Sequence, residues 1–224
     1  MNYMVKILTG NCCQDFIRRL TILEDRSEKI IFRYKKIEMY EFKYLSEGLV
    51  SDAWQSWCLF VRNIINYSCN ESITRNGIVV PKRVYDNTWQ RIGYEAAQAA
   101  KNSNIKPNNK NNYIRQEPTW GDIAKIIDII TALNPNNKSQ LLSAFGLPVY
   151  GPKHMQTIRN ACQHKNQDTI NAVKILYSHY SISNNININF SPAFIIREIN
   201  SSNNSFIFHS WLDDFRIIAN NSTN

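Results

Sequence analysis

The chain has 224 residues (26.1 kDa) and is 43% hydrophobic, which fits one large or two small domains, excludes disorder as the overall class, and leaves no apolar run of the ~18 residues that would span a bilayer. Its five cysteines form no CxxC pair, against a disulfide framework or zinc finger, and its amino terminus lacks an apolar stretch with a small-residue cleavage site, so a cytoplasmic protein is expected. Twenty-six Lys and Arg against 18 Asp and Glu leave +8 and a pI near 9.3, which favours polyanionic partners, nucleic acid first.

In chain order, residues 27–45 carry Ile30, Ile31, Tyr34, Ile37, Tyr40, Phe42 and Tyr44, spaced mostly by three or four as on one helical face. Lys29, Arg33, Lys35, Lys36 and Lys43 crowd the rest of it. A solvated face explains these cations better than an RNA-binding face. The 29 asparagines, with abundant Ile, Lys and Tyr, are what A/T-rich codons supply without functional demand. Gly48 is expected to break this helix, and Ser51 or Asp52 to cap the next. Residues 53–67 then form a broad apolar stripe through Trp54, Trp57, Phe60, Val61, Ile64 and Ile65, the pattern of a helix at the centre of a bundle. Gln55, Arg62 and Asn63 on it need partners.

Residues 69–80 read as a loop containing Gly77. Pro81 suits a helix start, and 83–101 reads as that helix. The Asn- and Lys-rich stretch 102–116 reads as an exposed loop. Glu117-Pro118-Thr119-Trp120-Gly121-Asp122 is a sharp entry to a helix over 123–133, capped by Asp122 and stopped by Asn134-Pro135. A short helix over 138–145 ends at Gly146, Pro152 opens another that runs to about Cys162, and 168–180 continues as a further helix. In the tail, 186–190 and 194–199 read as short strands or extended segments, and 211–219 as a final amphipathic helix. The predicted fold is all-α: a helical bundle with a partly irregular or short-stranded C-terminal extension. Its parts are an N-terminal helical segment (1–48), the bundle (49–180) and the extension (181–224).

The chemistry-bearing run is Ile158-Arg159-Asn160-Ala161-Cys162-Gln163-His164-Lys165-Asn166. On a helix four residues turn about 400°, so Asn160 and His164 share a face, with Arg159 one step round. These residue types suit phosphodiester cleavage. An imidazole with a reference pKa of ~6.5 can take a proton from a 2′-hydroxyl or deliver one to a leaving 5′-oxygen. A guanidinium clamps the phosphate and stabilises its developing charge, and an Asn can orient the His ring or the hydroxyl. Nothing in this chemistry requires a metal, and the acidic residues show no paired pattern of the two-metal kind. A Cys162–His164 thiol pair is disfavoured, because two helical steps place the side chains about 200° apart.

Arg159-Asn160-Ala161-Cys162-Gln163-His164 resembles the R-x(4–6)-H signature of HEPN-domain ribonucleases, including the Asn that often follows the Arg. Ser51-Asp52-Ala53-Trp54 with Trp57, the segment 117–122, and 141–146 are similar to the RiboL-PSP-type HEPN subgroup of prokaryotic conflict and defence systems. The likeness covers roughly residues 49–180. It implies a HEPN-like bundle and a metal-independent endoribonuclease without cofactor, acting on single-stranded RNA and leaving 2′,3′-cyclic phosphate ends. It also implies a homodimer with two motifs facing each other, held in check by an antitoxin or sensor protein. In such a site Arg159 and His164 carry the chemistry, Asn160 supports them, and an acidic residue on an earlier helix completes it: Asp52 first, then Glu47. The facing copies would line their cleft with Lys153, Lys165 and Arg159, a basic slot for an RNA strand. The competing readings are a non-catalytic helical module that binds RNA or a partner, and, last, a DNA-binding regulator, for which no segment reads as a recognition helix.

Overall fold

The first helix, α1 (Thr9–Arg33), follows from a narrow stripe. Cys13, Phe16, Leu20, Leu23 and Ser27 are buried at alternating spacings of three and four, one face of a 3.6-residue period. The computed structural model describes residues 7–101, 117–182 and 188–224. The predicted loop over 102–116 and the start of the tail segment 186–190 lie outside the described residues. Among the described residues the chain forms eight α-helices and five two-residue strands. The fold is therefore all-α, with a short-stranded C-terminal extension. No described helix is long and apolar enough to cross a membrane.

The single helix expected over 27–45 is instead an elbow. α1 ends at Arg33, a 3-10 turn occupies Tyr34–Lys36, and α2 spans Met39–Cys69. The Arg197 guanidinium sits 3.8 Å from the centre of the Tyr34 ring, which packs at 64° against Phe42 with ring centres 4.7 Å apart. These contacts hold Tyr34 at the bend, a tertiary cause that periodicity does not encode. Gly48 does not break α2. A Cβ placed there would meet nothing within 4 Å. The ~1 kcal/mol propensity cost of an interior glycine is offset by burial of Leu49, Val50, Ala53 and Trp54 around it. Ser51 and Asp52 consequently lie inside the helix and cap nothing.

Two compact units divide the chain: Met1–Phe16, Trp57–Pro148 and Ile217–Asn224 form one, and Ile17–Ser56 with Val149–Arg216 form the other. Helices α1 and α2 contribute residues to both units.

In the first unit Trp57 is fully buried, and its indole N–H donates to the Gly121 carbonyl (3.1 Å). Arg62 finds its partner in Glu117 through two 2.7 Å bonds, and Trp120 donates to the same carboxylate at 2.8 Å. The entry segment is thus pinned to α2. Strands β1 (Ile7–Leu8), β2 (Ser72–Ile73) and β3 (Val79–Val80) form a small sheet, β1 parallel and β3 antiparallel to β2. The turn before β3 uses Gly77 at φ 81°. Helix α3 (Trp89–Lys101) starts later than predicted. The buried Arg83 guanidinium binds the Asn87 side chain, Glu95 and the carbonyls of Asp86 and Leu133, and these bonds hold 83–88 out of helix. Asp122 caps α4 (Ile123–Leu133) by accepting from Ala124 N, and Asn134 ends it at φ 48°. α5 (Lys138–Phe145) follows.

The second unit adds α6 (Gly151–Gln163), α7 (Gln167–His179), a 3-10 turn (Pro192–Arg197), the β4–β5 pair (Ile199–Asn200 with Ser205–Phe206), and α8 (Ile207–Thr223) up to Arg216. Most of 194–199, expected to be extended, is 3-10 helix. Five consecutive residues from Pro192 to Ile196 are buried, and a one-sided strand alternates exposure.

Candidate functional site

Helix α6 carries the site. Tyr150 N and Gly151 N both donate to Asp214 Oδ2 on α8, at 3.1 and 2.7 Å, so a side chain of another helix caps this one. Burial pushes the Asp214 carboxyl upward, while the two amide donors pull it down. Met155, Ile158 and Ala161 bury the inner face of α6. The outer face then presents the motif.

Arg159 is half-buried on the last turn. Its Nη1 donates to Asn160 Oδ1 at 3.3 Å, and no carboxylate pairs with it among the described residues. His164 is the C-cap of α6, with φ −126° and ψ 78°. Its N–H still closes the last turn on Asn160 O (2.8 Å), and its carbonyl accepts from Thr169 Oγ1 (2.5 Å) and Asn166 N (2.9 Å). Asn166 and Thr169 form the capping box that starts α7. The backbone at His164 is therefore fixed from both sides. Its imidazole is exposed and has no hydrogen-bond partner among the described residues.

The expected supporting acids separate. Asp52 is engaged by Arg19 and, at 3.5 Å, by Arg26, both on α1. Glu47 is the acid beside the motif. Its Oε1 accepts from the buried Ser191 hydroxyl (2.9 Å) and lies 3.9 Å from Lys165 Nζ. Lys165 also reaches the Phe190 carbonyl at 3.4 Å, so its charge is already partnered. Lys153 is exposed. Cys162 is pushed up to about 12, first by burial and then by Glu47, with Lys165 and Lys43 opposing. A thiolate nucleophile is thereby disfavoured.

Two further histidines belong to networks that spacing could not reveal, because each draws on separate helices. Trp211 N–H donates to the Tyr180 hydroxyl (2.7 Å), which lies 2.8 Å from His154 Nδ1. With its oxygen accepting from Trp211, the phenol can direct its hydrogen to Nδ1 and leave a neutral ring protonated at Nε2. Burial first, then His179 and Lys153, push His154 down to about 4. The second network is Ser27–His209–Glu24. Ser27 Oγ is 2.8 Å from His209 Nε2, and His209 Nδ1 is 3.8 Å from Glu24. It has the composition of a hydrolase triad. Ser27, however, is 0% exposed and directs its hydroxyl to the Glu24 carbonyl, so no acyl substrate can reach it.

The His154 environment carries a pH prediction. The unfolded imidazole titrates near ~6.5, so between there and about 4 the unfolded chain binds more protons. This contribution to stability is complete above the unfolded value and is lost as pH falls towards the folded one. Urea unfolding at pH 7 and 4.5 should show the natural chain losing on the order of 2 kcal/mol more than a His154→Gln variant. Parallel losses in the two proteins would rule this out.

Among the described residues no group of three His, Cys, Asp or Glu side chains is placed to hold a metal ion. No family model, curated protein or solved structure matches the chain.

Proposed function

We propose that the protein is a metal-independent endoribonuclease of the HEPN kind, acting as a homodimer. In this reading His164 exchanges the proton of the attacking 2′-hydroxyl or the leaving 5′-oxygen, Arg159 holds the phosphate, and Asn160 positions Arg159. The observation that carries it is one helix end bearing both an arginine without a carboxylate partner and an imidazole without a hydrogen bond among the described residues. Arg62, Arg83, His154 and His209 are by contrast each engaged by another side chain. The single His of the motif supplies one proton-transfer group per chain, whereas the reaction uses a donor and an acceptor. A two-fold axis supplies the second from the same sequence. Growth arrest or antiviral defence, restrained by an antitoxin or sensor protein, is the biological role this activity suits.

The test is incubation of the purified protein with total RNA in EDTA. Cleavage with 2′,3′-cyclic phosphate ends is expected, together with a dimer mass by light scattering. Magnesium-dependent cleavage or 3′-hydroxyl ends would overturn the mechanism. A monomer that still cuts would overturn the composite site. No cleavage by an assembled dimer would leave the non-catalytic binding module.

A further inference from the structure

Within the second unit, α1 and α2 enclose an open groove of about 390 Å³, inside the roughly 300–1,000 Å³ range of small-ligand sites. Its lining repeats at helical spacing: Arg26, Lys29 and Ile30 on α1, and Tyr44, Gly48 and Leu49 on α2. Gly48 shapes it. A Cβ there would meet nothing within 4 Å, so the missing side chain is open space. Tyr44 is 68% exposed, and its one ring contact among the described residues is the Lys43 ammonium 5.7 Å away. Lys29 has no carboxylate partner among the described residues. Arg26 is held by Asp52, whose carboxylate also binds Arg19. Among the lining side chains, Arg26 and Lys29 against Asp52 leave one positive charge in surplus over an apolar floor.

A flat aromatic face, an apolar floor and two cations select a ligand with a π-face and an anion. A purely anionic ligand would leave Tyr44 unused, and a purely apolar one would leave Lys29 and Arg26 unused. We propose that this groove is a nucleotide subsite for the RNA strand, with a base against Tyr44 and its phosphate on Lys29 and Arg26. The inference rests on the ribonuclease reading for its substrate. It adds a place on the protein where the strand is held away from the reacting groups. Glu47, one residue before Gly48 on α2, reaches Lys165, the residue after His164, and one helical step of about 100° places it on a different face of α2 from the groove.

The test is fluorescence anisotropy with a labelled ten-nucleotide oligouridylate methylated at every 2′-oxygen, which cannot be cut by the proposed route. Tyr44→Ala should weaken binding by about tenfold, whereas Tyr44→Phe should not. Gly48→Phe, which fills the groove, should weaken it at least as much. Lys29→Ala should lower the salt slope by about one phosphate contact. Unfolding midpoints close to that of the natural chain will show that the variants fold. Unchanged binding by Tyr44→Ala, or equal affinity for polyglutamate, would overturn the subsite. Competition by micromolar uridine monophosphate would assign the groove to a free nucleotide and overturn the strand assignment. Because the probe is not cut, these results are independent of cleavage. Tyr44-dependent binding without any nuclease activity would uphold the groove while ending the ribonuclease reading.

Discussion

His164→Ala is expected to reduce RNA cleavage by ~10²–10⁴-fold, the range for a lost proton-transfer group, while leaving the fold intact. The geometry separates the two effects. The His164 ring is exposed and bonds to nothing described. Its backbone is held by Asn160, Asn166 and Thr169, which the substitution does not touch. Arg159→Ala should cost a comparable factor, because a charge-stabilising donor is lost at the developing phosphorane. Arg159→Lys should fall between, keeping the charge but losing the planar fork. Asn160→Ala should cost less than either, since its bond at 3.3 Å orients Arg159 without touching the phosphate. Rates on a defined RNA and melting curves of each variant decide the matter. A large fall in melting temperature for both His164→Ala and Arg159→Ala would assign them structural roles. Undiminished cleavage would remove them from the site.

What the sequence made legible is what short-range chemistry decides. Asp122 as a cap, Asn134-Pro135 as a stop, the helix over 138–145 and the helix opened near Pro152 all rest on residues a few positions apart, and all are present. The misreadings share one cause. Gly48 looks like a breaker until the burial of Leu49, Val50, Ala53 and Trp54 is seen to hold α2 through it. The bend at Tyr34 depends on Arg197, and the delayed start of α3 on the bonds of Arg83 to Glu95 and Leu133. The three-and-four spacing from Cys13 to Ser27 places α1 inside the N-terminal helical segment read over 1–48. At the candidate site, Arg159, Asn160 and His164 could be grouped from sequence because one helix carries them. Which acid stands beside them depends on how α2 meets α6, so Asp52 and Glu47 could be ordered only with coordinates.

Gly151 and Gly48 both lie in helices, and replacing them should have opposite effects. A Cβ on Gly151 would sit 2.8 Å from the Trp211 carbonyl oxygen, 2.8 Å from Asp214 Cβ and 3.0 Å from Trp211 Cα. Two of these are backbone atoms of α8, so no side-chain rotation relieves the clash and α6 must move away. That movement strains the Asp214 cap on Tyr150 N and Gly151 N, and the Trp211–Tyr180–His154 chain beside it. Gly151→Ala should cost ~1–3 kcal/mol as overpacking, and Gly151→Val more. In a chain of this size that lowers the melting temperature by ~2–4 °C per kcal/mol. Gly48→Ala, placed in open space inside α2, should instead stabilise by up to ~1 kcal/mol through propensity alone. The Gly151 change should also reach the chemistry. α6 carries Arg159, Asn160 and His164 as one rigid element, and a shift of about 1 Å at reacting groups can cost ~10²-fold in rate. Thermal unfolding and cleavage measured on both variants test the claim. A Gly151→Ala protein that melts no lower than the natural chain would show that α6 and α8 do not approach as closely as their backbones imply.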